Sequence, residues 1–123
     1  MSDPGPGIRR ILVVEDDYLL ALDLQDNLAD AGALVVGPVG TLAQALERIR
    51  AEAHLDGAIL DVNLGGEQAY PAADLLAERG VPFVFTTGYG ASAMPERFSH
   101  VTRFEKPVSV AAIRQALAGL FAR

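Results

Sequence analysis

Six side chains could do chemistry if folding brings them together: Glu15, Asp16, Asp17, Asp61, Thr87 and Lys106. The first three directly follow the apolar run "ILVV", which reads as a strand buried on both faces. Carboxylates crowded at a strand end repel one another, at a cost of roughly 4 kcal/mol per pair at about 4 Å and an effective dielectric near 20. A cation, a shared proton or open water must relieve that repulsion. Asp61 ends the buried run "DGAILD", Thr86, Thr87 and Gly88 end "VPFVFTTG", and Lys106 ends "VTRFEK" just before Pro107. A hard divalent cation, for which magnesium is the natural choice, takes oxygen ligands and keeps several waters. Asp16 and Asp61 with a backbone carbonyl supply part of an octahedron. Lys106 adds a mobile positive charge, Thr87 a hydroxyl donor, and Gly88 leaves space beside the acceptor. Such a set suits phosphoryl transfer to a carboxylate nucleophile.

These residues must be positioned by an alternation of strand and helix. Strands are expected at Arg9–Glu15, "ALVVGPV", "DGAILD", "VPFVFTTG" and "VTRFEK", with Pro38 marking an edge position or a strand end. A helix over Tyr18–Ala31 carries Leu20, Leu24, Leu28 and Ala31 on one stripe and stops at Gly32. Thr41 caps a second helix, to about Ala53, with Leu42, Ala45, Leu46 and Ile49 inward. The Gly-rich "VNLGGEQA" reads as a loop, and a third helix covers Tyr70–Arg79 up to Gly80. Segment 88–100 is irregular, with one or two helical turns and few large apolar anchors, and the fourth helix is expected to be short or irregular. The last helix has Val110, Ile113, Leu117 and Leu120 inward and exposes Ala112, Ala116 and Gly119. The pattern predicts an α/β doubly wound five-stranded parallel sheet with helices on both faces. In such sheets the active crevice lies beyond the carboxyl ends of the strands. The flavodoxin-like strand order 2-1-3-4-5 makes the strands with polar ends neighbours.

Bulk composition narrows the function classes. The 123 residues suit one domain: a flexible Pro- and Gly-rich leader over 1–7, a folded unit over 8–123, and no output domain. Half the residues are hydrophobic, so the chain should fold. With no cysteine, disulfides and thiolate zinc sites are excluded and the reducing cytoplasm is the expected compartment. No apolar run is long enough to span a bilayer. A net charge of −6 without a basic run argues against nucleic acid as a direct partner.

The motifs together resemble the receiver domains of two-component response regulators, over about Ile8 to Phe121. In "VVEDD" Glu15 and Asp16 match the acidic pair, "LDVN" gives Asp61 as phosphoacceptor, "FTTGY" gives Thr87, and "FEKPV" gives Lys106. The resemblance implies magnesium held by Asp16, Asp61 and the main-chain carbonyl of Asn63, with Glu15 acting through a bound water. It implies Thr87, Gly88 and Lys106 as the phosphoryl-binding and switch residues, and a cis bond before Pro107. Tyr89, two residues past Thr87, is expected to lean over the site and shield the acyl phosphate, and Asn63 and Pro107 are further modulators. Two departures stand out. Arg103, followed by Phe104, occupies the position three before the lysine where the family often has an aromatic switch residue. The segment after Thr87 is also short. "PFVFTTGYG" is similar to an alphaproteobacterial subgroup of stand-alone receivers with a Phe-Ala-Thr-Gly-like motif. The implied partners are a histidine kinase or histidine phosphotransfer protein upstream and a protein target downstream.

Other readings compete for these residues. Asp17 serves better as a helix N-cap than as a ligand. Thr86 reads as an ordinary strand residue, and His54 and His100 as solvent-facing. Leu19 and Leu22 lie off the core stripe of the first helix, either as scattered exposed leucines or as a docking surface. A phosphatase of the haloacid-dehalogenase type also uses a strand-end aspartyl nucleophile, but it needs a second Asp two residues on, where this chain has Asn63, and a cap domain. A flavodoxin-like cofactor binder needs a hydroxyl- and Gly-rich loop after the first strand, where this chain has acids. A phosphate relay or sink without a switching output fits the same site, and the expectation is a signalling module, not an enzyme.

Overall fold

Parallel strands of alternating apolar residues dominate the fold. The computed structural model describes residues 8–88 and 94–121. In chain order the elements are β1 (Arg10–Val14), α1 (Tyr18–Asp30), β2 (Leu34–Val39), α2 (Leu42–Ala51), β3 (Gly57–Asp61), β4 (Asn63–Leu64), β5 (Glu67–Gln68), α3 (Tyr70–Glu78), β6 (Phe83–Thr87), a 3-10 turn (Glu96–Phe98), β7 (Arg103–Glu105) and α4 (Val110–Phe121). Five strands form one parallel sheet in the order β2-β1-β3-β6-β7. This is the flavodoxin-like order expected from the strand ends, with β4 and β5 standing apart as a small antiparallel pair.

Because side chains alternate along a strand, the sheet builds two apolar layers. Leu12, Val14, Leu60 and Phe85 pack with Ala45 and Ile49 of α2 and Ala72, Ala73 and Leu76 of α3. Ile11, Val13, Ile59 and Val84 pack on the other face with Leu24 and Leu28 of α1 and Ile113 and Ala116 of α4. Every residue of β3 is buried, which places Asp61 at the end of the most enclosed strand.

The helix signals held at their starts. Asp17 caps α1, its carboxylate accepting from Leu20 N at 3.1 Å, and Thr41 caps α2 through Gln44 N. Pro38 lies in the edge strand β2, beside Gly37, whose φ of +93° no residue with a side chain adopts comfortably. A Cβ on Gly37 would also stand 2.9 Å from Val39 N.

Four expectations need correction. On α1, Leu24 and Leu28 are buried as expected, but Ala21 takes the buried place at the start of the stripe, while Leu20 is only half-buried and Ala31 is exposed at the C-cap. The segment "VNLGGEQA" is not a plain loop: Asn63–Leu64 and Glu67–Gln68 pair around Gly65 and Gly66, whose φ values of +61° and +97° make the tight hairpin turn. Ala116 is buried against β6, not exposed for a partner. Segment 94–101 has strong anchors, since Phe98 is 4% exposed and stacks on Tyr70 at 5.6 Å. Its ring also meets Phe85 and Phe83 edge-on. No helix among the described residues is long and apolar enough to cross a membrane.

Candidate functional site

The carboxyl end of the sheet gathers the residues singled out by type. Glu15 follows β1, its amide donating to the Val39 carbonyl at 2.9 Å, so the pairing with β2 continues one residue past the strand. Asp61 ends β3 beside it, and Lys106 follows β7, its amide donating to the Thr87 carbonyl at 2.8 Å. Alternation puts Glu15, Asp61 and the Lys106 stem on the α1/α4 face, two residues beyond Val13, Ile59 and Phe104.

The contacts follow from that placement. Lys106 Nζ donates to Asp61 Oδ2 at 2.8 Å and reaches Glu15 Oε1 and Oε2 at 3.2 Å each. Glu15 Oε2 also accepts from Asp17 N at 2.9 Å. Asp61 Oδ1 accepts from Asn63 N at 3.2 Å. Asp16 points outward and accepts from Gly65 N at the hairpin turn, 2.9 Å away, while Asn63 Oδ1 steadies that turn through Gly66 N. The hairpin thus ties the segment after Asp61 to the segment after β1.

Burial and charge set the electrostatics. Glu15 is 3% and Asp61 1% exposed. Desolvation is the main reason the Glu15 carboxyl is pushed up to about 7, against the Asp17 amide; the charge of Asp61 adds to the rise and Lys106 opposes it. Desolvation also raises Asp61, against the pull of Lys106, Glu15 and the Asn63 amide. For Asp16 burial is the largest single influence and raises the carboxyl, but hydrogen bonding to Asp61, Glu15 and Gly65 together outweighs it and holds Asp16 below the usual carboxylate range. Lys106 loses some solvation but is held raised by Asp61 and Glu15. Two buried carboxylates facing one ammonium leave a surplus negative charge, which a shared proton or a cation must offset.

The residues present fit such a cation. Glu15, Asp16 and Asp61 each offer a carboxylate oxygen, all within 4.8 Å of one another. The donors are all hard oxygens and Asp16 is open to solvent, so the set suits a hard divalent ion that keeps waters. Asn63 reaches the cluster through its main chain, by the amide that bonds Asp61.

The remaining candidates divide. Thr87 is buried but lies two residues beyond Phe85, toward the α2/α3 face, and its hydroxyl makes no hydrogen bond to Asp61, Glu15 or Lys106 among the described residues. Gly88 faces open space. Arg103 is exposed, whereas Phe104 packs inward and registers with Thr86. The Lys106–Pro107 bond is cis. Tyr89 lies outside the described residues. His54 and His100 are exposed, His54 paired with Asp56. Sequence reasoning missed the direct Glu15–Lys106 ion pair and read Glu15 as a solvent-bridged ligand. The alternation Val13, Glu15 was the available signal, since it continues a buried face.

Comparison with known proteins bears on this arrangement. No protein-family model matches the chain. The solution structure of SdrG from Sphingomonas melonis Fr1 is 42% identical, covers 92% of this chain and 96% of its own, and superposes with a TM-score of 0.82. SdrG has also been solved in a BeF3-activated conformation, 41% identical with a TM-score of 0.77. A response regulator receiver protein from Sinorhizobium medicae WSM419 is 27% identical over 94% of this chain and 96% of its own, with a TM-score of 0.78. PhyR of Methylorubrum extorquens, a phyllosphere-induced regulator, is 37% identical over 91 residues, or 72% of this chain and 32% of PhyR. The chain spans less than half the length of the curated relatives it matches. Likeness along nearly the whole chain, in sequence to SdrG and in fold to a solved response regulator receiver protein, means that this protein belongs to the response regulator receiver-domain family.

Proposed function

We propose that the protein is a signalling receiver that takes a phosphoryl group from a phosphohistidine donor onto Asp61. The observation that carries this reading is the setting of Asp61: 1% exposed, at the end of the central strand, 2.8 Å from Lys106 Nζ and beside two further acids. In the transfer an Asp61 carboxylate oxygen attacks phosphorus. The P–O bond forms as the P–N bond breaks, and the electron pair returns to the donor imidazole, whose other ring nitrogen carries a proton so that it leaves neutral. Lys106 balances charge on the transferring oxygens, and Glu15, buried beside it, holds the ammonium in place. Asp16, Asp61 and the Asn63 main chain would hold magnesium, which when bound supplies positive charge to the phosphoryl oxygens.

The added charge of roughly −1.5 to −2 is then read by protein partners, not nucleic acid, in keeping with a net charge of −6. The lack of cysteine fits work in the cytoplasm. On this reading the protein is a stoichiometric acceptor, not an enzyme, and it does not turn over generic phosphate esters. Treatment with acetyl phosphate and magnesium, followed by mass spectrometry, tests the assignment. Label is expected on Asp61 and absent from Asp61→Asn. Label on Asp16 or Asp17 would overturn it, and steady release of phosphate from a generic ester would favour the phosphatase alternative. Transfer from candidate histidine kinases and phosphotransfer proteins then identifies the donor.

A further inference from the structure

Among the described residues, one buried side-chain polar atom has no hydrogen-bond partner: the Thr86 hydroxyl oxygen. Thr86 is 1% exposed. Valine would fill nearly the same space without the penalty of an unpaired hydroxyl. A hydroxyl kept in such a place calls for a partner in some other state of the protein.

The register shows which partner is at hand. Thr86 pairs with Asp61 on one side and Phe104 on the other. By alternation it stands on the α1/α4 face, two residues beyond Val84, the face shared by Asp61 and Lys106. β6 runs between β3, which ends in Asp61, and β7, which leads to Lys106. Strands lie about 4.8 Å apart, so the Lys106 side chain must cross β6 to bring Nζ within 2.8 Å of Asp61. The β6 residue level with Asp61 on that face is Thr86.

In the unmodified protein this hydroxyl is left over. An ammonium has three protons, and Glu15 Oε1, Glu15 Oε2 and Asp61 Oδ2 take all of them. A phosphoryl group on Asp61 disturbs that balance. One carboxylate oxygen becomes a bridging ester-like oxygen, new acceptor oxygens arrive, and Lys106 must divide its donors again.

We propose that Thr86 is a positioning residue whose hydroxyl, unpaired in the unmodified protein, hydrogen-bonds the Lys106–Asp61 pair once Asp61 carries a phosphoryl group. The inference rests on the reading of Asp61 as phosphoacceptor. A group penalised in one state and satisfied in the other biases the protein toward the second. Thr86 would therefore favour the modified state without touching solvent.

Beryllofluoride with magnesium, a phosphoryl mimic, separates the possibilities. Thr86→Val is expected to be at least as thermally stable as the wild type when unmodified, yet to bind beryllofluoride about tenfold more weakly. Thr86→Ser, which keeps the hydroxyl, should bind within about twofold of the wild type. In the wild type, NMR should show the Thr86 hydroxyl proton slowing its exchange as the mimic saturates the site. Tight binding by wild type and Thr86→Val alike, or a wild-type Thr86 signal unmoved at saturation, overturns this inference and leaves the role of Asp61 intact. Failure of the wild type to bind the mimic overturns both.

Discussion

Lys106 Nζ lies 2.8 Å from Asp61 Oδ2 although an entire strand, β6, separates the backbones that carry the two residues. The lysine therefore acts as a strap across the carboxyl end of the sheet, joining β7 to β3 and, through Glu15, to β1. The strap is also the main local compensation for two buried carboxylates. Its removal affects structure and chemistry together, and the two effects separate by pH.

Lys106→Met keeps the length of the side chain and deletes the charge. Breaking a buried pair by losing one partner typically costs about 3–5 kcal/mol. We expect a loss at the lower end of that range near pH 8, where both carboxylates must ionise without a counter-charge. Near pH 5 the loss should shrink, because Glu15 retains its proton there. Denaturant unfolding at both pH values checks this, and an equal loss at both would show that the lysine acts through packing alone.

Asp16 and Asp17 are adjacent in sequence but serve different ends. Asp17 caps α1 through Leu20 N, whereas Asp16 belongs to the oxygen cluster with Glu15 and Asp61. Asp17→Ala should cost about 1 kcal/mol of stability and leave magnesium affinity nearly unchanged. Asp16→Ala should weaken magnesium binding by at least about tenfold and cost only a little stability, since what it loses in folding is one solvent-exposed hydrogen bond from Gly65 N. Titration of magnesium by calorimetry, beside thermal unfolding of both variants, tests the division. Equal losses of affinity would mean that the triplet is wrongly apportioned.

Glu15 gives the protein a pH dependence opposite in sign to that of an ordinary salt-bridged acid. Its folded carboxyl titrates near 7, above the ordinary value of 4.5. Between those values the folded state binds a proton that the unfolded chain has released, so stability falls as pH rises. The stabilisation is fully present below about pH 4.5 and is lost by about pH 7, a change of order 1–3 kcal/mol from this group. Denaturation from pH 4.5 to 8 without divalent cations should show the decline. Glu15→Gln, which mimics the protonated acid, should flatten it, and an unchanged slope in that variant would remove Glu15 as the cause.

The sheet order and the residues at its carboxyl end were legible because buried parallel strands leave continuous apolar runs, and a polar residue ending each run stands out. Asp61 and Lys106 could be read for that reason. What was hidden depends on partners far apart in sequence. Glu15 read only as a water-bridged ligand, and its ion pair with Lys106, 91 residues away, shows only once the sheet is assembled. Thr86 read as an ordinary strand residue because its place level with Asp61 depends on a register that only the assembled sheet fixes. The hairpin at Gly65–Gly66 was hidden by its two-residue strands, too short to carry a hydrophobic period.

Segment 94–101 carries the last prediction, since its composition suggested a loose connection. The structure instead anchors it twice. Phe98 is buried in a ring cluster with Tyr70, Phe83 and Phe85, and its neighbour Arg97 makes a two-pronged ion pair with Asp74 of α3 at 2.9 and 3.0 Å. The two anchors are unequal. Phe98 is 4% exposed, and truncating a buried phenylalanine to alanine costs about 3–5 kcal/mol. The Arg97–Asp74 pair sits at the surface, with both side chains roughly half exposed, and such pairs contribute about 0–1 kcal/mol. Phe98→Ala should therefore destabilise the protein severely, whereas Arg97→Ala should shift stability by less than about 1 kcal/mol. The consequence for signalling is spatial. If phosphorylation of Asp61 moves the chain after Thr87, the motion must dissipate before the Phe98 anchor or break it. Hydrogen exchange with and without beryllofluoride distinguishes these: the anchored reading expects the amides of Phe98, Ser99 and Val101, which donate within the turn, to keep their protection. Faster exchange at all three on adding the mimic would show that the ring cluster opens and that the output reaches α3.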